Sequence, residues 1–412
     1  MRKFVLPLVL MMLIGAGCVQ QTGSPDSTTN TNSPSPNPTT NTNTDTNAAN
    51  PSSLPTDPSK QSPDPGSGQS QGKQDGATMG KVTAVRLIDP ASGWVGGSGW
   101  IARTDDAGKQ WKIQYVGEQT VEQIFALNGQ QAWVVFSHDP GDSNGRCLLH
   151  TTDGGAHWSP VGRMPNGGFL HFVSKQEAFA ANAHTTDGGR TWEKLPVPNA
   201  IVGDAYFHDK NHGWAAAQEN SRIVFKRTVD GGQTWKTVMS RSTASRLNGV
   251  VIRSAGADDA WIECIGDSGM SQTSYSLFHT SDGGKNWLTV IANSTAGAGP
   301  APGYPMNDSS GPRNAGSKPG PLYVVSPQVA FMGGFCPACD YPNTVGWTTD
   351  GGKTWNNGKA QYMGYGGALL AIADAEHGWW ICTDNSEPSV MYTTSDGGMH
   401  WKKAHTFDQP PK

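Results

Sequence analysis

Long apolar runs are missing from this 412-residue chain. The longest, Phe4 to Ile14, is too short to cross a bilayer comfortably. A strong charge balance is missing too. The net charge of -4 argues against a nucleic-acid surface. Cysteine is sparse, with six residues, and Cys336-Pro337-Ala338-Cys339 is the only C-x-x-C. With no second pair in sequence, a structural zinc site is not expected, and outside the cytoplasm a local Cys336–Cys339 disulfide is the simplest outcome. Redox work by this pair would need a thiol pKa lowered at a helix N-terminus, and no such helix is predicted. Asp139, Asp142 and Asn144 crowd one loop without the ligand spacing of a calcium site. We expect no metal and no cofactor.

From Val19 to about Gly80 there is no aromatic residue and almost no aliphatic one. Such a stretch of Ser, Thr, Asn, Pro, Gln, Gly and Asp cannot offset its ordering entropy by burial. It reads as a tether of about 60 residues, with a mean span on the order of 45 Å. Ahead of it, Arg2 and Lys3, the apolar run and the small residues Gly15-Ala16-Gly17 have the form of a secretory signal.

What the chain has in plenty is glycine, at 52 residues, and tryptophan, at 15. Many of them fall in one pattern, T-x-D-G-G-x-x-W, which begins at Thr104, Thr151, Thr185, Thr228, Thr280, Thr348 and Thr394. Its aspartates are Asp106, Asp153, Asp187, Asp230, Asp282, Asp350 and Asp396; only the first copy drifts, with Ala107 in place of glycine. Asp-Gly-Gly is turn chemistry, since the glycines accept positive φ and Asp bonds nearby backbone N–H groups. Threonine before and tryptophan after are strand formers. Each copy therefore reads as a hairpin tied by a carboxylate, with a large buried ring opening the return strand. Seven like sites of catalysis or metal binding are far less natural than seven structural staples. Copies recur every 34 residues (Thr151 to Thr185) to 68 residues (Thr280 to Thr348), a spacing suited to four-stranded propeller blades.

The expected fold is thus all-β, a seven-bladed β-propeller of four-stranded blades over residues 81–408, followed by a tail at 409–412. The blades are placed at 81–116, 121–161, 167–197, 201–239, 247–291, 321–360 and 364–407. In this scheme the repeat turns are C–D turns and share one rim with the A–B turns. The longer B–C loops and the Gly/Pro/Ser-rich insertion from Asn293 to Gly320 lie on the other rim, where binding is expected.

Counting eight residues back from each B-strand Trp or Phe gives Arg86, Phe125, His171, Tyr206, Arg253, Tyr323 and Ala371. One polar and aromatic position on every A strand should converge near the central axis. Arg86 and Arg253, with His171, Tyr206 and Tyr323, form a candidate pocket for an anion or a partner. The alternative is that these side chains simply pack between blades, with arginine stacked on rings. Glu263, two residues after Trp261, is the one acid well inside a predicted B strand. Cys147, Cys264 and Cys382 read as small buried hydrophobes.

The repeat resembles the Asp box, or BNR repeat, of sialidases and related propellers. With its G-W strand starts at Asp89…Gly93-Trp94, Asp209…Gly213-Trp214 and Asp374…Gly378-Trp379, the region resembles the photosystem II stability/assembly factor family. The expected function is a non-enzymatic, extracytoplasmic scaffold, a monomer with no nucleic-acid partner, that binds a protein or peptide through the loop-rich face and the axial pocket. In photosynthetic members the resemblance implies help in assembling the photosystem II reaction centre. Gly15-Ala16-Gly17-Cys18 resembles a bacterial lipobox. This implies a signal peptide over 1–17, a lipid-anchored linker over 18–80 and attachment at Cys18 to the outer face of the cell membrane; the alternative is an ordinary signal peptide. A sialidase-like exo-glycosidase is the competing expectation, with a carbohydrate-binding surface lipoprotein beside it. Sialidase chemistry needs three arginines, a Tyr–Glu pair and an acid Asp. Arg86-Leu87-Ile88-Asp89-Pro90 is not the family's Arg-Ile-Pro motif.

Overall fold

The computed structural model describes residues 77–137, 145–308 and 310–410. Cys18, the tether and the Asp139–Asp142–Asn144 loop lie outside the described residues. Strands β1 (Val82–Leu87), β2 (Gly93–Thr104), β3 (Lys112–Ala126), β4 (Ala132–Phe136), β5 (Arg146–Thr151) and β6 (Ser159–Met164) form one sheet in that order. Next come β7 (Leu170–Phe172), β8 (Ala178–Ala180), β9 (Ala183–Thr185) and β10 (Glu193–Lys194). The third sheet holds β11 (Tyr206–Phe207), β12 (Gly213–Glu219), β13 (Arg222–Thr228) and β14 (Lys236–Ser242). The fourth holds β15 (Gly249–Arg253), β16 (Ala260–Ser268), β17 (Thr273–Thr280) and β18 (Leu288–Asn293). The fifth holds β19 (Lys318–Val324), β20 (Ala330–Phe335), β21 (Asn343–Thr348) and β22 (Asn356–Asn357). The sixth holds β23 (Gly367–Ile372), β24 (His377–Thr383), β25 (Val390–Ser395) and β26 (Lys402–Thr406). Every pairing is antiparallel.

The protein is an all-β propeller, but the expected seven four-stranded blades are corrected to six sheets, the first of six strands. The reason lies in β3. Its first part pairs with β2, from Arg103↔Lys112 to Ser98↔Thr120, and its second with β4, from Val121↔Phe136 to Ala126↔Ala132. Between Trp111 and Phe125 the chain has no proline and a single glycine, so nothing turns it and one strand serves two repeats.

The repeat turns are built alike. In each, the Thr hydroxyl donates to the Asp carboxylate at 2.8–2.9 Å. The N–H of the second glycine position donates to the Thr hydroxyl at 2.8–3.1 Å. The N–H four residues beyond the Asp then donates to its carboxylate at 2.9–3.0 Å. Ala107 holds φ 60, the left-handed region that six glycines fill elsewhere, which costs about 1 kcal/mol. The first of the two glycine-position N–H groups reaches back to the A–B turn of its own repeat, as in Gly154 to Gln130 O and Gly351 to Gln328 O. Both turn types therefore share one rim.

The rings sort differently from the sequence expectation. Trp94, Trp133, Trp214, Trp261 and Trp379 on the B strands are fully buried, whereas of the repeat tryptophans only Trp401 is buried. The repeat ring lies over the edge of the sheet, and the B-strand ring sits at its centre. The 293–320 insertion folds back onto the propeller: Ser245 Oγ donates to Pro300 O, Gly303 N to Thr243 Oγ1, and Arg241 stacks over Tyr304 at 4.4 Å. The ring closes without strand exchange. Met79 N and Asp408 Oδ2 meet at 2.7 Å, Val82 N donates to Ser389 Oγ, and Phe407 packs on Trp100 and Trp111.

The aspartate bonds favour the ionised carboxylate. Backbone N–H donation from His157, Asn286 and His400 is the largest cause holding Asp153, Asp282 and Asp396 at about 2, against 3.8 unperturbed. At Asp187 burial pushes upward, and the Thr191 bonds more than reverse it, to about 2. Folded pKa values below unfolded ones give stability that is present above about pH 4 and lost as pH falls through 2. Acid denaturation followed by circular dichroism should show this loss between pH 4 and 2. Thr280→Val strands the buried Gly284 N–H and should lower stability by roughly 1–3 kcal/mol in urea titration; an unmoved midpoint counts against the staple.

Candidate ligand-binding cavity

The innermost strand of each repeat starts on the loop-rich rim and runs toward the staple rim. Sheet register then fixes which side chains meet at the axis. Each inner-strand residue counted back from the B-strand ring is its direct partner: Arg86↔Trp94, Phe125↔Trp133, His171↔Phe179, Tyr206↔Trp214, Arg253↔Trp261, Tyr323↔Phe331 and Ala371↔Trp379. Six of these seven line one axial cavity of about 730 Å³, and Ala371 does not. The volume is in the range of small-ligand sites.

Spacing alone missed a second tier two residues upstream, where strand alternation returns a side chain to the same face. Phe169 and Asp204 belong to it, both exposed and both lining the cavity at the loop-rich mouth. Glu122 lines the wall and is paired with Arg146. The i−2 offset from the ring position was the signal available in sequence.

The electrostatics are set by two guanidinium groups. Arg253 lies 3.8 Å over the Phe169 ring, and its Nη1 donates to Ile252 O at 2.8 Å. Arg86 lies 4.6 Å over Phe125, donates to the Tyr323 hydroxyl at 3.3 Å and keeps a buried Nε without a partner. Among the described residues neither arginine is in an ion pair. Tyr206 donates to Ser254 O at 3.4 Å and stacks on His171 with centroids 4.8 Å apart. Burial pushes the Tyr206 hydroxyl up to about 12, with the charge of Arg253 opposing. Burial, then His208, lowers His171 to about 3, so the ring is neutral at physiological pH. The cavity thus offers two cations outside any ion pair among the described residues, aromatic walls and neutral polar groups, with Asp204 at the mouth and Glu122 already held by Arg146. The set is suited to an anion seated beneath Asp204.

Other expected residues lie elsewhere. Cys336 and Cys339 are disulfide-bonded in the β20–β21 loop, and Tyr365 donates to Cys339 O. Cys264 and Cys382 are buried free thiols, pushed up by burial. Glu263 is buried on β16, opposite Val251, and does not line the cavity. No third arginine lines it among the described residues. Among the described residues no group of three or more His, Cys, Asp or Glu is placed to hold a metal, and no helix is long and apolar enough to cross a membrane. A polar cleft of about 690 Å³ beside the insertion has its Asn293, Asn314 and Gln272 bonded within the protein.

No family model and no curated protein matches the chain. Solved structures do. YCF48 bound to a D1 peptide is 16% identical with a TM-score of 0.44, over 78% of this chain and 92% of that one. YCF48 from Cyanidioschyzon merolae is 17% identical with a TM-score of 0.35, over 79% and 85%. The GH74 enzyme of Niastella koreensis is 13% identical with a TM-score of 0.35, over 80% and 66%. The likeness is one of fold.

His171 should remain unprotonated down to about pH 4. Imidazole NMR shifts across pH 4–8 check this, and a midpoint near 6.5 would mean that the ring is hydrated rather than stacked.

Proposed function

We propose that the propeller is a binding scaffold that takes an anionic group of a protein or peptide partner into the axial cavity, entering from the loop-rich rim. One observation carries the reading: Arg86 and Arg253 face a shared cavity with rings beneath them, and among the described residues no carboxylate is paired to either. Buried or half-buried cations normally find a counter-charge within their own fold. Here the open positions are left to a ligand.

The N-terminal sequence extends the proposal to placement. Cys18 anchors the protein by lipid to the outer face of the membrane, and the tether presents the propeller to membrane partners. The motif resemblance to photosystem II stability/assembly factors makes assembly of a membrane complex the natural setting. Whether the host carries photosynthesis genes decides if that complex is photosystem II.

A photo-crosslinking residue at Asp204, at the cavity mouth, should capture the partner in host membranes. One at Lys353, on the staple rim, should not. Combining Arg86→Gln with Arg253→Gln should weaken capture by at least about tenfold, as expected for two charge-assisted contacts. Equal capture from both rims, or capture indifferent to the arginines, rejects the reading.

A further inference from the structure

We propose that anion binding in the axial cavity is coupled to protonation of Glu263 through their shared neighbour Arg253, so that the cavity holds an anion more tightly when Glu263 is neutral. The inference rests on the reading of the cavity as an anion site and adds its regulation.

The geometry comes from register. Arg253 pairs with Trp261 and Val251 with Glu263, which makes Arg253 and Glu263 diagonal neighbours on one face of β15 and β16. Diagonal pairs are within reach of long side chains. Glu263 is 2% exposed. Among the described residues it has neither a hydrogen bond nor an ion pair. The groups around it are few. β17 brings Leu277 opposite and Tyr275 nearby, β16 brings Cys264, and β19 and β20 bring the apolar Leu322 and Met332. Arg313 acts on Tyr275 from the insertion. Among the described residues Arg253 is the one cation acting on Glu263, and it also feels Tyr206 and Asp204.

A buried carboxyl without hydrogen bonds resists ionisation. Burial pushes Glu263 up to about 8, with Arg253 opposing. Below that pH the carboxyl is neutral, and the full charge of Arg253 faces the cavity. Above it, Glu263 is anionic and cancels much of that charge from behind. Linkage makes the effect reciprocal, so an anion on Arg253 must raise the Glu263 pKa further.

The test uses the full chain and hippurate, a carboxylate with one aromatic ring whose charge does not change between pH 6 and 9. By calorimetry, the wild-type dissociation constant should rise roughly tenfold from pH 6 to pH 9. Glu263→Gln should hold the pH 6 affinity at both. Carbon-13 NMR of the Glu263 carboxyl should show its midpoint moving upward on adding hippurate, and this decides the matter if the variant fails to fold. A flat wild-type profile, the same slope in Glu263→Gln, or an unmoved midpoint overturns the coupling alone. Absence of hippurate binding at either pH overturns the coupling together with the anion-site reading.

Discussion

The propeller depends on a short hydrogen-bonded relay that begins in one repeat and ends in the next. Inside a repeat, a buried Thr hydroxyl accepts from a glycine N–H and donates to the Asp carboxylate. In three repeats the residue just before that Thr lies over the B-strand ring and reaches across the seam, whereas His184 bonds Glu177 and Glu193 of its own repeat. Arg103, 4.7 Å over Trp94, donates to Gly154 O of the next repeat turn. Arg227, 5.2 Å over Trp214, does the same to Gly283 O. His279, stacked at 3.8 Å on Trp261, meets Gly351 O at 2.8 Å and the buried Asp259 at 2.9 Å. These three staples therefore both shape their own hairpins and offer a carbonyl to the neighbouring repeat. The second glycine matters here because a side chain there would strike the preceding sheet, as at Gly352 against Val290.

Much of this was legible because it is local. Thr, Asp and Gly at fixed offsets make the same backbone bonds wherever they occur, so seven copies pointed to one rim of turns. The axial position was legible for a related reason: a constant count back from the B-strand ring is a constant register across an A–B hairpin, and all seven pairs hold it. What the sequence hid was non-local or negative. The fusion of the first two repeats through β3 follows from a missing turn rather than a present motif. The burial of Trp94 and Trp261 in place of the repeat tryptophans depends on how sheets stack, which the motif does not encode. The insertion reads in sequence only as a long rim connection, yet Thr243, Ser245 and Arg241 on a different repeat hold it down.

Repetition also explains why the axis is where individuality appears. The staples and B-strand rings carry the stability, and their identity hardly varies from repeat to repeat. The inner-strand ring position makes no staple bond and is free to differ, and it runs through Arg, Phe, His, Tyr, Arg and Tyr around the cavity, with Ala371 the seventh and outside its lining. A scaffold that secures itself at one rim and at the sheet centres can set aside its axis for recognition.

The arginines at that axis are held open rather than neutralised. Phe125 and Phe169 support the flat guanidinium faces, and Tyr323 and Ile252 O each take a single N–H, which fixes orientation without supplying charge. An incoming anion therefore breaks no existing ion pair and orders little, so more of the interaction appears as affinity. The same arrangement leaves the field at Arg253 sensitive to whatever stands behind it. Among the described residues that is the buried, unbonded carboxyl of Glu263, on the same face of the same strand pair. Had Glu263 been bonded within the sheet, its proton would have been indifferent to the cavity. Its isolation ties the two together.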